Sequence, residues 1–365
     1  MPLALKVDKN IGIHPWNKTV WEELIAEPES GRKPHAFLFC GSYGLGKRAL
    51  AEAYARHVLL SDMQPDSTAK TLFDAGTHPD MHVLMSEAAV DKQPNQTFSR
   101  FALRYIEEHD RKPKQVISVA QVRALGHSIV STTANKGSRV IVLPDASAMN
   151  VNAANSLLKN LEEPPGNTLF ILVSDRPDSL PATIRSRCTP IYFRIPEIHI
   201  ARSWLEQLAR QGASEGEALG DIENIDDLLA FAGGAPLAAV ALHQTGEREQ
   251  HSRVLRQLCD VLSGKTEPLG AAKQWHDESP ELIVRLVQRL FSDIVRCRSN
   301  EASEPAFYTA QKQWLHQQGK RPNLHKLFLL WQQILKTAHL MSGTSDKLLI
   351  LESLAIDLAK AGKEN

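Results

Sequence analysis

The chain lacks an excess of either charge sign. In 365 residues, 42 Lys and Arg stand against 42 Asp and Glu, for a formal net charge of zero. Strong nucleic-acid binders carry a basic surplus, so avid DNA binding by the isolated chain is not expected and only a local basic stripe remains open. Arg123 and Lys136 are candidates for contact with a DNA backbone, although a solvated face is the simpler reading of both. Long hydrophobic runs are also missing, and no segment approaches the about 20 apolar residues of a membrane span. The opening Met1-Pro2-Leu3-Ala4-Leu5-Lys6 runs into charge rather than an apolar stretch, which predicts no signal peptide. Cysteine is scarce. Cys40, Cys188, Cys259 and Cys297 lie far apart and form no Cys-x-x-Cys pair. That pattern predicts reduced thiols in a cytoplasmic protein and argues against a disulfide framework or a zinc site.

The length exceeds what one core organises, so two or three domains are expected. The first half reads as α/β. Short apolar runs at Ala36–Cys40, Val83–Met85, Val140–Leu143, Leu169–Val173 and Ile191–Phe193 are candidate buried strands between helical patterns. Continuous apolar strands of this kind predict a parallel sheet covered on both faces. Ser118 and Gln121 have capping-box spacing, with Val119, Val122, Leu125 and Ile129 following near helical spacing. Ala154, Leu157, Leu158 and Leu161 form another apolar face, which ends before Pro164-Pro165. Residues 86–114 are polar without a clear period and read as an insertion or mobile loop with room for a short helix. Beyond about residue 195 strand patterns stop. Gly212–Gly220 reads as a polar connection, Gly233-Gly234-Ala235-Pro236 as a sharp break, and Leu282–Ile294 and Leu327–Leu340 as amphipathic helices.

One motif carries chemistry. Gly41-Ser42-Tyr43-Gly44-Leu45-Gly46-Lys47-Arg48 follows the first strand and opens a helix. In that context Gly-x-x-x-x-Gly-Lys is specific for a phosphate-binding loop, whose glycines let backbone N–H groups face the phosphates while the lysine reaches the β and γ groups. The bland alternative is a glycine-rich turn with a surface lysine. The next position breaks the pattern: a hydrolytic loop has Ser or Thr there to ligate Mg²⁺, and this chain has Arg48. A second defect follows the strand ending at Leu143. Asp145 occupies a degenerate Walker B position, as a metal-orienting acid or a turn residue, and Ala146 stands where a glutamate would polarise water. Together the defects predict that hydrolysis is lost while phosphate binding remains open.

The order of motifs resembles the delta-prime family of bacterial DNA polymerase III clamp-loader subunits, within the AAA+ superfamily. The resemblance rests on His14-Pro15-Trp16, on His35–Phe39 leading into Gly41–Lys47, and on Ala75-Gly76-Thr77-His78-Pro79-Asp80. It continues through Met149-Asn150, Ala153–Pro165 and Leu180–Cys188, and covers roughly residues 10–240. The resemblance implies an AAA+ parallel-sheet domain at residues 1–194, a helical lid at 195–243 and an all-helical collar at 244–365. It implies a pentameric ring with motor subunits and a delta subunit, acting on the sliding clamp and primed DNA through the complex, with no membrane partner. It also implies that Arg187, within Ser186-Arg187-Cys188, reaches a neighbour's γ-phosphate as a trans-acting arginine. Without the flanking motif, Arg187 would read as a surface salt-bridge residue.

Two departures bear on cofactors. Many relatives carry a four-cysteine zinc module before the Ala-Gly-Thr-His-Pro-Asp motif, but Leu59–Ala75 holds no cysteine, so zinc is expected to be absent and His57, His78 and His82 to serve as capping or packing residues. Active relatives also place an arginine near Gly-x-Pro in the lid, and Gly234-Ala235-Pro236-Leu237 offers none. No cofactor is required on this reading, and nucleotide binding stays open. The competing readings are an active AAA+ motor subunit of the same loader, disfavoured by Arg48, Ala146 and the missing lid arginine, and a P-loop kinase for a small substrate.

Overall fold

The computed structural model describes residues 13–26, 34–60, 68–106, 112–129, 138–215, 225–299, 308, 313–316, 324–341 and 346–363. The chain divides into two compact units, Met1–Ile195 and Pro196–Asn365.

The first unit is built on a five-stranded parallel sheet in the order β2-β3-β4-β1-β5, with β1 Ala36–Cys40, β2 Met81–Val83, β3 Arg139–Leu143, β4 Thr168–Ser174 and β5 Thr189–Tyr192. Every residue of β1, β3 and β4 is buried, which explains why these strands read as unbroken apolar runs. In α/β sheets of this kind ligand sites form beyond the carboxyl ends of the strands, and the loop after β1 sits there. The second and fifth strands, β2 and β5, fall slightly earlier than the apolar runs indicate. Met81 pairs with Val140, and Thr189 with Phe37. Leu84 and Phe193 extend the ladders by single N–H bonds to Val142 O at 3.0 Å and Cys40 O at 2.8 Å.

Around the sheet lie α1 Lys18–Ile25, α2 Lys47–Leu60, α3 Thr68–Ala75, α4 Glu87–Lys92, α5 Thr97–Ala102, α6 Val119–Ile129, α7 Val151–Glu162 and α8 Ala182–Arg185. The capping box of α6 closes in both directions: the Ser118 N–H donates to Gln121 Oε1 at 2.8 Å and the Gln121 N–H to Ser118 Oγ at 3.3 Å. Asn150 caps α7 by accepting from the Ala153 N–H at 2.8 Å. The segment expected to be an insertion or mobile loop is ordered where it is described. Ser86 caps α4 by accepting from the Ala89 N–H, and α5 buries Phe98 and Phe101 with Phe101 edge-on to Phe73 of α3 at 5.5 Å. Residues 107–111 of that segment lie outside the described residues.

The second unit contains α9 Ile198–Glu215, α10 Ile225–Phe231, α11 Pro236–Thr245, α12 Glu247–Leu262, α13 Pro268–Asp277 and α14 Pro280–Ser299, then helices Leu324–Met341 and Lys347–Lys363. Leu258, Val261, Trp275, Leu286, Leu290, Phe291, Leu354 and Leu358 share one core, joined by Ala230 and Phe231. The expected polar connection at Gly212 begins as helix, because α9 continues to Glu215; residues 216–224 are not described. The break after α10 is closed by Gly233 and Gly234, both in the left-handed region, with the Gly234 N–H donating to Leu229 O at 2.8 Å. The guanidinium of Arg289 on α14 donates to Phe231 O at the same helix end, where the helix dipole favours a cation.

Candidate functional site

The loop Gly41–Lys47 is built on glycines whose backbone no other residue could adopt freely. Gly44 and Gly46 lie at φ +84° and +83°, in the left-handed region that glycine enters without cost. A Cβ on Gly46 would sit 2.5 Å from His14 Cδ2 and 2.9 Å from Asn17 Nδ2, and one on Gly41 2.6 Å from Phe193 O. The residues ahead of α1 pin the loop from outside. Trp16 Nε1 donates to Leu45 O at 3.0 Å, Asn17 Nδ2 to the same carbonyl at 2.8 Å, and His14 stacks on Trp16 at 4.7 Å.

Lys47, however, is turned onto its own chain. Its ammonium donates to Gly41 O at 2.7 Å and Ser42 O at 2.6 Å, and pairs with Asp175 Oδ1 at 2.6 Å. An ammonium has three N–H donors, so these three acceptors satisfy it fully. The Lys47 side chain is only 3% exposed, and burial pushes its pKa down while Asp175 draws it back up. Asp175 follows β4 directly, beside the loop after β1, because the two strands pair in parallel through Cys40 and Ser174. No sequence motif marks Asp175.

Arg48 points its cation to the same end of the sheet. Its Nε donates to Pro144 O at 2.9 Å, immediately before Asp145. Asp145 sits half-buried ahead of a 3₁₀ turn at Ala146–Ala148, its backbone carbonyl accepting from the Ala148 N–H at 3.2 Å, and Ala146 is fully buried. The degenerate positions expected from the sequence are therefore gathered at one place, with an arginine where a hydrolytic site has a metal-binding hydroxyl.

Arg187 lies apart from that loop, in the turn between α8 and β5. Its Nη2 pairs with Glu162 Oε1 at 2.5 Å and its Nη1 donates to Thr183 O at 2.9 Å. The two side chains are 34% and 49% exposed, so the guanidinium is presented at the surface. The neighbouring Cys188 points inward, and burial raises its pKa to about 12, which makes it an inert packing residue.

The three histidines flanking Leu59–Ala75 and its following motif make contacts with neighbouring side chains and backbone. His82 is buried, 2.5 Å from the Tyr105 hydroxyl, with its pKa pushed down to about 3 by desolvation and by Arg104 and Arg139. His78 accepts from the Asp80 N–H at 3.3 Å, and His57 packs edge-on to Trp21 at 5.6 Å. Among the described residues no group of three or more His, Cys, Asp and Glu is placed to hold a metal ion. Arg123 is exposed on α6, and Lys136 lies outside the described residues.

A family model described as "DNA polymerase III, delta subunit" matches residues 16–197. The DNA polymerase III subunit delta' of Pseudomonas aeruginosa is 36% identical over 269 residues, covering 72% of this chain and 71% of its own. The Escherichia coli subunit delta' is 30% identical over 289 residues, covering 78% and 76%. Among solved structures, a DNA polymerase III gamma subunit-related protein of Thermotoga maritima aligns over 95% of this chain and 99% of that one, at 13% identity and a TM-score of 0.37.

Proposed function

Because the chain belongs to the family of DNA polymerase III delta' subunits of the clamp loader, we propose that it is a ring member that hydrolyses no ATP itself and lends Arg187 to the ATP site of a neighbour. The observation that carries this reading is the contrast between two cations. Lys47, the residue that would meet a nucleotide's phosphates, has its three donors satisfied within the chain, whereas Arg187 stands at the surface. Arg48 at the metal position and Ala146 at the position of the water-polarising acid support the loss of hydrolysis.

The chemistry of the donated arginine is electrostatic. Negative charge spreads over the transferred phosphoryl oxygens in the transition state, and a guanidinium aimed at them stabilises that state more than the ground state. Trans arginines of this kind contribute about 10³–10⁵ in rate in other NTPases. The ring is proposed to be pentameric, with motor subunits and a delta subunit, and to reach the sliding clamp and primed DNA as an assembly. We assign residues 1–194 to the nucleotide-binding-like domain, 195–243 to a lid and 244–365 to a collar. The collar assignment draws support from helix Leu324–Met341, on which Phe328, Leu329, Leu335 and Leu340 are exposed; Phe328 and Leu335, two turns apart, would pack against neighbouring subunits.

ATP turnover, measured for the isolated protein and for a complex reconstituted with a neighbour bearing an intact phosphate loop, tests the reading. No turnover alone, with turnover in the complex that depends on Arg187, is expected. Turnover by the isolated protein that disappears on Lys47→Ala would establish an active motor instead.

A further inference from the structure

We infer that Glu162 is a positioning residue for Arg187, holding the guanidinium in the orientation from which it meets a neighbour's phosphoryl group. The inference rests on the reading of Arg187 above and adds a residue to it. Glu162 is the last residue of α7, and Pro164-Pro165 follow, so its backbone marks a fixed helix end. That end is tied down twice: the Glu163 N–H donates to Lys159 O at 3.0 Å, and His35 Nε2 lies 2.9 Å from Leu161 O, linking it to the residue before β1. Leu157 and Leu161 of α7 share a buried core with Ile184 of α8. The carboxylate and the turn carrying Arg187 are therefore set by packing, and the ion pair spans two elements already held in register.

Arginine keeps substantial rotamer freedom at a surface, which must be lost before it acts on a phosphate. Here two anchors remove it in advance. Nη1 donates to Thr183 O and Nη2 to Glu162 Oε1, each using one hydrogen of a terminal nitrogen. The planar guanidinium has five N–H donors, so these contacts fix its plane and still leave donors for a phosphoryl oxygen. Without the carboxylate, the Thr183 carbonyl and Ser186 Oγ at 3.5 Å would be its remaining partners among the described residues, both on one nitrogen, and rotation about that anchor would be free.

The test uses Glu162→Ala, Glu162→Gln, Arg187→Ala and the double variant Glu162→Ala/Arg187→Ala in the reconstituted complex at saturating subunit concentration. Glu162 is half-exposed at a helix end, so the variants are expected to fold, and melting temperature checks this. Glu162→Ala is expected to lower kcat for ATP roughly 10-fold with KM unchanged, within the ~100-fold that a misplaced catalytic group can cost. Glu162→Gln, which keeps an acceptor oxygen, is expected to recover most of the rate, and the double variant to match Arg187→Ala alone. An unchanged or faster kcat for Glu162→Ala overturns the inference, as does a double variant slower than Arg187→Ala by the full single-variant factor. An Arg187→Ala complex as fast as the parent would instead remove the underlying reading, and this inference with it.

Discussion

Replacing Asp175 by Ala isolates the arrangement that seals the phosphate loop. The change leaves a lysine ammonium, 3% exposed, with two carbonyl partners and no carboxylate. Removing one partner of a fully buried ion pair costs about 3–5 kcal/mol. Asp175 is itself 40% exposed, so water screens the pair, and the expected loss falls to about 1–2 kcal/mol. If the loss comes from an uncompensated cation, removing that cation relieves it. The double variant Lys47→Met/Asp175→Ala should then be more stable than the sum of the single changes implies, by about 1 kcal/mol or more, as expected for directly contacting groups. Urea unfolding followed by circular dichroism gives the free energies. Neither variant should gain ATPase activity, because Arg48 and Ala146 remain. An Asp175→Ala protein as stable as the parent, or single losses that simply add, would refute the reasoning.

Three further outcomes follow from the same structure. Gly46→Ala should cost more than about 2 kcal/mol, since the left-handed backbone costs an alanine about 1–2 kcal/mol and its Cβ would also meet His14 at 2.5 Å; Gly166→Ala, at φ +64° with open space around it, should cost only the backbone part. Acid should destabilise both units through buried histidines with pKa values lowered to about 4 for His14, 3 for His82 and 4 for His251. The unfolded chain takes up protons below its ordinary histidine pKa of about 6.5 while the folded chain does not, so stability is retained above that value and lost as the pH falls, by about 2 kcal/mol per histidine between pH 7 and pH 5. Urea titrations at the two pH values should show a smaller acid loss for His82→Asn, and an equal loss would contradict the assignment. Elemental analysis of the purified protein should find no stoichiometric zinc; about one zinc per chain would overturn the reading of Leu59–Ala75 and of the nearby histidines.

Much of the first unit was legible because its signals are local. Continuous apolar runs announce β1, β3 and β4, and the Ser118–Gln121 spacing encodes a capping box that forms in both directions. Residues 86–114 hold the short helix expected there and a second one, but α4 and α5 have six residues each, too few to display a helical period, and their order comes from Phe98 and Phe101 packing into the core. The site was legible as a set of motifs but not as a set of contacts. Arg48 and Ala146 are visible as defects in a known spacing. Asp175 is not, because only the parallel pairing of β1 with β4 brings it to Lys47. The same holds for Glu162, which meets Arg187 only through the packing of α7 against α8.

The most direct test of the central claim is the ATPase rate of a fully assembled complex carrying Arg187→Ala, compared with the parent at saturating subunit concentration. The mutated chain should fold and assemble normally, since Arg187 is a third exposed and contributes only a screened ion pair. Turnover at the ATP site it serves should fall by about 10³ or more, and clamp loading with it. A lowered melting temperature with per-complex turnover and clamp loading unchanged would contradict the account, leaving Arg187 a structural partner of Glu162 and nothing more.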